Sequence, residues 1–396
     1  MKIYIFFRRD EQNILPLALE DDQRTLARAL FDARRVHNDY LMQTEVVAGF
    51  TTGAVGHTVL VGFDLRRIDQ DNKTRFDDSF PSLDLFDPTY FNTFSSSLPF
   101  NRFDFQDNRV GVYVQDQVTL LHNLKLLAGV RFDYASQDTR FTDGESGERT
   151  TESRDDTAFS PRVGIVYQPI RPLGLYANFS ESFEPQPGNT AGGTPFDPET
   201  GRQYEVGVKG EFLDRRLSVL LAFYHITKQN VESDDPDNPG FTRAIGEQRN
   251  RGIELDVAGE LLPGWRVIAS YAFTDAEVTK DFGGFEGKRP PNVALHGFSL
   301  WSTYEFQRGV LQGLGFGAGV FYVGDRYGDF ENTFKLPDYV QTDMSVFYQP
   351  RFFPHLRARL TIQNLFDVEY FESAEGDVTV HPGSPITVLG TVAVRF

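Results

Sequence analysis

The sequence lacks cysteine and has only 3 methionines and 2 tryptophans in 396 residues. The absence of cysteine excludes a disulfide scaffold, a thiol nucleophile and a cysteine-ligated metal, and it leaves the cellular compartment open. No apolar run approaches the roughly 18 residues of a membrane-spanning helix. The N-terminal MKIYIFFRRDE has a brief apolar run, but Arg8, Arg9 and Asp10 interrupt it too early for the core of a signal peptide.

Positive charge is also in short supply. The chain has 39 Lys and Arg against 56 Asp and Glu, a net charge of −17, which argues against a nucleic-acid partner. Much of the acid lies in predicted loops, such as 143–156 and 233–237, where solvation is the simplest explanation. The run from Ser233 to Asn238 has oxygen atoms suitable for Ca²⁺, but it lacks EF-hand spacing and contains Pro236. A solvated loop is the favoured interpretation.

Motifs for catalysis are missing as well. The 7 histidines form no H-E-x-x-H motif and no i, i+4 pair. The chain has no G-x-S-x-G nucleophile elbow and no Walker-type phosphate loop. We therefore predict that the protein is not an enzyme, with no catalytic residue, no resident metal and no cofactor.

The stretch from Arg251 to Asp275 contains the unit that the rest of the chain repeats. Ile253, Leu255 and Val257 alternate with Glu254 and Asp256, which predicts a strand with one apolar and one charged face. A Leu-Pro-Gly turn at 262–264 leads into a second strand with the same alternation, so the pair is a predicted hairpin. A strand of about 9 to 11 residues that meets lipid on one side and a wet lumen on the other has this pattern.

The unit recurs along the chain, with short turns alternating with long loops, which is typical of an outer-membrane barrel with its short turns in the periplasm and its long loops outside. We predict an all-β fold, a transmembrane antiparallel β-barrel of about 16 strands, over residues 24–396. Residues 1–23 are expected to be irregular or a partial strand, with Asp10 to Asp22 irregular. The predicted strands are 24–34, 40–52, 58–67, 109–120, 124–134, 159–168, 173–182, 204–212, 217–228, 253–261, 265–275, 293–306, 314–327, 340–348, 356–364 and 386–396.

The longest predicted loops are 68–106, 139–156, 183–202, 229–241 and 367–385. The first of them is rich in phenylalanine, and packing of loops on one another is the simplest role for its rings. The functional alternative is that some of these rings, with nearby arginines, line an extracellular mouth that binds an organic iron chelate. The search region for ligand-binding residues is Arg75, Phe76, Tyr90, Phe91, Phe94 and Arg102.

Four stretches resemble the barrel of TonB-dependent outer-membrane receptors that take up ferric siderophores. Ser182-Phe183-Glu184-Pro185, a Gly/Pro-rich loop and 204–209 (YEVGVK) resemble the family's mid-barrel strand, loop and strand. The segment 251–255 (RGIEL) resembles another of its strands, and 364–367 (NLFD) resembles the segment before the last one. The terminal Phe396 resembles the family's aromatic assembly signal, although an aromatic at the lipid interface has the same pattern.

The resemblance implies an outer-membrane receptor and transporter for a ferric siderophore, energised through TonB. Its expected partners are the ferric siderophore, the TonB complex, outer-membrane lipid and the barrel assembly machinery. The family also has a signal peptide, a TonB-contacting segment, an N-terminal plug and a barrel of about 22 strands. The chain is therefore expected to be a C-terminal portion without signal peptide or plug, which supplies the barrel wall and the ligand-binding loops.

Two alternatives remain at this stage. The first is a passive porin-like barrel or a non-functional remnant: if 24–34 pairs with 386–396, a smaller pore closes, and if it cannot, the unpaired edges are not satisfied in lipid and the chain should aggregate. The second is a soluble β-binding protein, and the lipid-like faces of the strands argue against it.

Overall fold

The computed structural model describes residues 2–90, 96–186, 188–235, 238 and 242–395. Among these residues the regular structure is entirely β. None of them forms a helix that is both long and apolar enough to span a bilayer. The strands are β1 (Lys2–Leu19), β2 (Thr25–Thr52), β3 (Val55–Asp77), β4 (Leu83–Asp84), β5 (Asn101–Leu121), β6 (Leu124–Thr142), β7 (Arg149–Ile170), β8 (Leu173–Glu184), β9 (Glu199–Phe212), β10 (Leu217–Asp234), β11 (Thr242–Leu262), β12 (Trp265–Lys280), β13 (His296–Glu305), β14 (Leu314–Val323), β15 (Arg326–Tyr327), β16 (Lys335–Leu336), β17 (Tyr339–Tyr348), β18 (Leu356–Gln363), β19 (Phe371–Ala374), β20 (Val380–Pro382) and β21 (Thr387–Val394).

In the described part of the chain, 17 of these strands form one sheet, and β15–β16 and β19–β20 form two small sheets of their own. Without the two-residue β4, the large sheet has 16 strands, each of eight residues or more. This confirms the all-β prediction and the predicted strand count. By its internal contacts the chain divides into two compact units, Met1–Thr119 with Leu127–Arg162 and Ser182–Glu199, and Leu120–Leu126 with Val163–Glu181 and Thr200–Phe396.

In the first unit, β1, β2, β3 and β5 form consecutive antiparallel ladders. The strand β1 pairs with β2 from Lys2↔Met42 to Leu19↔Leu26, so the prediction that Asp10 to Asp22 is irregular was wrong as far as Leu19 and right for Glu20 to Asp22. The two strands predicted at 24–34 and 40–52 are one strand, β2. One strand, β1, was left out of the prediction and another, β2, was counted twice, so the predicted total of 16 is still correct.

The stretch 24–34 was also the edge expected to pair with 386–396 and close a smaller pore. Residues 30–34 already have β1 on one side and β3 on the other, because Arg34 pairs with both Asp10 and Lys73. No edge remains there for another strand, and β21 pairs with β18. The pairing that the smaller pore required therefore does not occur at these residues.

The strands of the first unit have one apolar and one polar face. On one face the ladders align Val46 with Val61 and Val61 with Val114, and Val61 is 48% exposed. On the other face Glu45 aligns with Gly62, and Gly62 with Tyr113. We call these the apolar face and the polar face. A solvent-exposed apolar face opposite a polar one is the arrangement expected of strands in lipid.

The apolar stretch is much shorter than the strands. In β2 the exposed apolar side chains lie between Tyr40 and Phe50, whereas the strand has 28 residues. The predicted loops 68–106 and 139–156 were therefore too long: β3 continues to Asp77 and β5 begins at Asn101. Loop residues 143–148 separate β6 from β7.

In the second unit, β9 to β14, β17, β18 and β21 pair in chain order in antiparallel ladders. The hairpin predicted from 253 to 273 is confirmed, with Leu255 opposite Tyr271 and Leu262 opposite Trp265. Gly264 in its turn has φ +84°, a conformation that glycine adopts without strain.

Three alternate residues of β14, namely Gly315, Gly317 and Gly319, let aromatic rings lie flat on the strand. A Cβ added at Gly315 would overlap the Phe347 ring, and one added at Gly319 would overlap the Trp301 ring. The missing side chains thus make room for rings from β17 and β13, which cover backbone that glycine would leave bare.

We predict that Gly319→Ala destabilises the protein by about 1–3 kcal/mol, because the Trp301 ring must move away from β14. The matched control is Gly390→Ala in β21, where an added Cβ meets nothing within 4 Å. The measurement is urea unfolding of the detergent-folded protein, followed by tryptophan fluorescence. Equal midpoints for the two variants would contradict the role of the Trp301 contact.

Candidate functional site

The polar face of the first unit carries a network of charged and aromatic side chains. Arg131 on β6 forms ion pairs with Asp133 on its own strand and with Asp64 on β3, the latter at 2.6 Å. The guanidinium crosses β5 at Gly111, where any Cβ would overlap it. In β2 and β3, Asp39 accepts hydrogen bonds from Arg66 Nε and Nη2 at 3.2 and 2.8 Å. The Arg131–Asp64 pair thus joins β6 to β3 across β5, whereas the Arg66–Asp39 pair joins the adjacent strands β3 and β2.

A second position on this face is occupied by Arg109 of β5. Its Nη1 and Nη2 donate to the two carboxylate oxygens of Glu184 at 3.1 and 2.8 Å. Its Nε donates to Asp107 Oδ2 at 2.9 Å. Since Glu184 ends β8, the ion pair attaches the segment that follows β8 to β5.

This segment, Ser182–Glu199, is the arm, and it belongs to the first unit. Arg154 Nη1 donates to the carbonyl of Gln186 at 2.9 Å, and Gln186 Nε2 donates to the carbonyl of Asp197 at 2.6 Å. Phe196 is 3% exposed and packs against Gly188, whose φ is +113°. The Gly/Pro-rich loop of the sequence analysis is therefore an ordered element, held by Arg109 and Arg154.

The arginines of the search region do not face the polar interior. Arg75 donates to Asp32 Oδ2 at 2.7 Å and to the Ser96 carbonyl at 2.6 Å, and it lies 4.6 Å from the centre of the Phe100 ring. Arg102 donates to Asp71 Oδ2 at 2.8 Å. The ladders place both arginines on the face that carries Val61 and Val114 further down. Arg75 therefore holds loop 78–100 against β2 and β3, whereas Arg102 links β5 to β3.

Of the aromatic residues in the search region, Phe76 lies on the polar face opposite Phe31 and is 49% exposed. Tyr90 is 73% exposed in the loop. Phe91 and Phe94 lie outside the described residues, as does the terminal Phe396. The search region is therefore not a single cluster, and its role in ligand binding stays a prediction.

Four phenylalanines, Phe31, Phe76, Phe103 and Phe105, share the polar face, and we call them the phenylalanine patch. The rings of Phe103 and Phe105 stack with centroids 6.3 Å apart, and Arg35 lies 5.8 Å from the Phe31 ring centre. Phe103 and Phe105 were predicted to lie in a loop, and Phe31 was not among the predicted ligand-binding residues. Their i, i+2 spacing was the available signal, because it puts both rings on one face of a strand.

In the second unit, asparagine side chains tie three loops together. Asn292 Nδ2 donates to the Ala374 carbonyl at 2.8 Å, and its Oδ1 accepts from the Ala374 amide at 2.9 Å. Asn332 makes the same pair of bonds with the backbone of Arg289, at 2.8 and 2.9 Å. Each side-chain amide bonds to both the N–H and the C=O of one backbone residue, as a neighbouring strand would. Loops 281–295, 324–338 and 364–386 therefore form one connected body, the triple loop.

The motif at 364–367 fixes one end of the triple loop. Asn364 is 1% exposed, and its Nδ2 donates to the carbonyls of Val368 and Ser384 at 2.9 and 3.0 Å. Asp367 Oδ1 accepts from the Ile386 amide at 2.8 Å. The two side chains draw both ends of loop 364–386 together, directly before β21 begins.

The acidic run at 233–238 is only partly described, since Pro236 and Asp237 lie outside the described residues. Ser233 and Asp235 are each 5% exposed, so the prediction of a solvated loop was wrong for both of them. Ser233 Oγ donates to Asp281 Oδ1 at 2.6 Å, and Asp235 forms an ion pair with Arg243. Nowhere in the described structure do three or more His, Cys, Asp or Glu side chains form a group suited to a metal.

Residues 7–365 match the family model for the TonB-dependent receptor-like β-barrel. The chain belongs to the TonB-dependent receptor β-barrel family. It is 38% identical over 371 residues to the metal-pseudopaline receptor CntO of Pseudomonas aeruginosa, covering 91% of this chain and 51% of the relative. It is 36% identical over 392 residues to the ferrichrome outer membrane transporter/phage receptor of Escherichia coli, covering 96% of this chain and 51% of that protein.

The fold matches solved receptors of this kind. The crystal structure of the siderophore receptor PiuA from Acinetobacter baumannii superposes with a TM-score of 0.86 at 22% identity, covering all of this chain and 62% of that one. The chain spans about half the length of the curated relatives it matches. These similarities confirm the family resemblance and the predicted fold class.

We predict that Asn292→Ala in this TonB-dependent receptor barrel increases amide hydrogen exchange throughout the triple loop, because the two bonds to Ala374 link two of its loops. The increase should reach segments 326–336 and 371–382 as well as the mutated loop. Asn13→Ala, at an exposed site on β1, is the control. An effect confined to 281–295 would show that the three loops move independently.

The pair of strands β15 and β16 should be sensitive to acid. Lys335 Nζ lies 2.6 Å from Asp325 Oδ2, and this hydrogen bond lowers the pKa of Asp325 below its usual value of 3.8. The stabilisation is present above the unfolded-state pKa and is lost as pH falls through the lower folded-state pKa. The protection factors of the amides in 326–336, which correct the measured exchange for its intrinsic rate, should therefore fall as the pH drops below about 4, and Lys335→Met should remove that dependence.

Proposed function

We propose that the protein is a receptor for the uptake of ferric siderophores or related metal chelates across the outer membrane. The observation that carries this proposal is the 36–38% identity, over more than 90% of this chain, to proteins named as receptors for metal-pseudopaline and ferrichrome. In this proposal the chain supplies the wall and the loops of the receptor, and the cell outer membrane is its site.

The geometry of the first unit supports this role. Its exposed apolar face suits lipid, and its polar face suits a wet interior. The strands β2, β3 and β5 extend beyond the apolar stretch, and the phenylalanine patch lies on the polar face of those extensions. Aromatic rings on a polar face, of which Phe76 is 49% exposed, can hold the organic part of a chelate by stacking.

Coupling to TonB is part of the proposal for the whole receptor. The family implies it, together with a plug and a TonB-contacting segment, and this chain spans about half the length of its curated relatives. Recognition by the barrel assembly machinery, with Phe396 as its signal, is likewise proposed. A coupled receptor should lose chelate uptake when the proton gradient is collapsed.

Binding is the first function to test. We expect the detergent-folded protein to bind a ferric chelate from a panel of hydroxamate, catecholate and carboxylate types, measured by tryptophan fluorescence quenching. Phe76→Ala should weaken that binding by roughly threefold to tenfold, since an aromatic contact contributes about 0.5–1.5 kcal/mol. Phe352→Ala is the control, because Phe352 is 85% exposed in the turn 349–355.

Lipid vesicles containing the protein separate the receptor from a passive pore. The receptor proposal predicts saturable chelate binding that Phe76→Ala weakens. Ion conductance by the protein, without binding of any chelate of the panel, would instead support the porin-like alternative.

A further inference from the structure

The arm is attached to the polar face mainly through a single guanidinium group. Arg109 offers Glu184 two parallel N–H groups, which is the geometry in which arginine recognises any carboxylate. The two partners differ in exposure, since the Arg109 side chain is 22% exposed and that of Glu184 is 59% exposed. The carboxylate is thus the accessible half of the pair, and water screens it.

Beside Arg109, two buried acceptors have no donor. Asp107 is 1% exposed, and its Oδ2 accepts from Arg109 Nε and, at 3.2 Å, from Gln137 Nε2. Asp107 Oδ1 and Gln137 Oε1 receive no hydrogen bond from the described residues, although Gln137 is only 5% exposed. Buried acceptors without donors are unfavourable. The attached arm therefore leaves this part of the polar face unsatisfied.

We propose that Arg109, Asp107 and Gln137 form a site for a carboxylate that has a hydroxyl or ammonium group on the adjacent carbon, and that Glu184 occupies this site until such a ligand displaces it. The ligand carboxylate replaces Glu184 on Arg109, and its neighbouring donor reaches the acceptors of Asp107 and Gln137. The exchange replaces one carboxylate with another, so the charge on Arg109 stays neutralised. This inference rests on the proposed function, because it assigns the substrate to chelates with such carboxylate arms.

Displacement of Glu184 removes the attachment of the arm to Arg109. Arg154 still donates to the Gln186 carbonyl at 2.9 Å. The arm should then gain motion at its exposed tip near Thr194. Binding at Arg109 is in this way linked to release of the arm.

Because the chain has no cysteine, a nitroxide on Thr194→Cys reports the motion of the arm alone. We would record its EPR line shape in the full chain during titrations with metal-free citrate, with malate, with aspartate and with ferric citrate. Citrate and malate carry a hydroxyl beside a carboxylate, and aspartate carries an ammonium group there. Tricarballylate, which has the carboxylates of citrate without the hydroxyl, and a neutral ferric trihydroxamate complete the set.

We expect at least one of the hydroxy or amino acids to raise the mobile fraction severalfold, with tricarballylate about tenfold weaker. Glu184→Gln should mobilise the arm without ligand and tighten binding of the effective acid by about tenfold, because the internal competitor is gone. Arg109→Gln should mobilise the arm and abolish that binding. The control Glu181→Gln removes a similar ion pair, with Arg202 at 2.9 Å, and should change neither.

The outcomes separate this inference from the proposed function. Binding of the neutral trihydroxamate without any response to the carboxylic acids would overturn the Arg109 site and leave the receptor function standing. Release of the arm by the metal-free acids, without binding of any ferric chelate, would support the site and contradict the function. An unchanged or weaker affinity in Glu184→Gln would overturn the displacement of Glu184.

Discussion

The structure depends on one constraint, which is that every strand must satisfy its backbone through its neighbours while exposing an apolar face. Hydrogen bonds between adjacent strands meet the first requirement, and alternation of apolar and polar residues within the apolar stretch of the strands meets the second. The charged side chains that the alternation places on the polar face must then be paired. Arg66 pairs with Asp39 on the adjacent strand β2, whereas Arg131 reaches across β5 to Asp64 on β3, and Gly111 leaves room for that long side chain to cross.

The same alternation explains which parts of the fold could be read from the sequence. Where one of the two faces is apolar, as at Ile253 to Leu261, the period of two is visible and the strand and its turn were predicted correctly. Above the apolar stretch both faces are polar, so β3 beyond Arg67 resembles a loop in sequence. Pairing with β2 nevertheless continues to Asp77. Hydrogen bonding to a neighbour, which a single strand does not reveal, decides the strand length there.

The candidate site could be predicted less well from the sequence, for a related reason. Arg75 and Arg102 lie close to the aromatic loop in the chain, but the ladders place them on the face opposite the phenylalanine patch. Glu184 and Arg109 are 75 residues apart and meet because the arm folds onto β5. The motif at residues 364–367 contributed to the family resemblance, yet the hydrogen bonds that Asn364 makes are seen only in the folded chain.

The triple loop has a consequence for the exchange of parts between related receptors. Because Asn292 and Asn332 bind backbone atoms of other loops, the length and course of each loop constrain the other two. A graft that replaces loop 364–386 alone removes the backbone that Asn292 binds, and an insertion beside Arg289 shifts the backbone that Asn332 binds. The three segments thus depend on one another structurally, and a loop graft into this scaffold should transfer all three together.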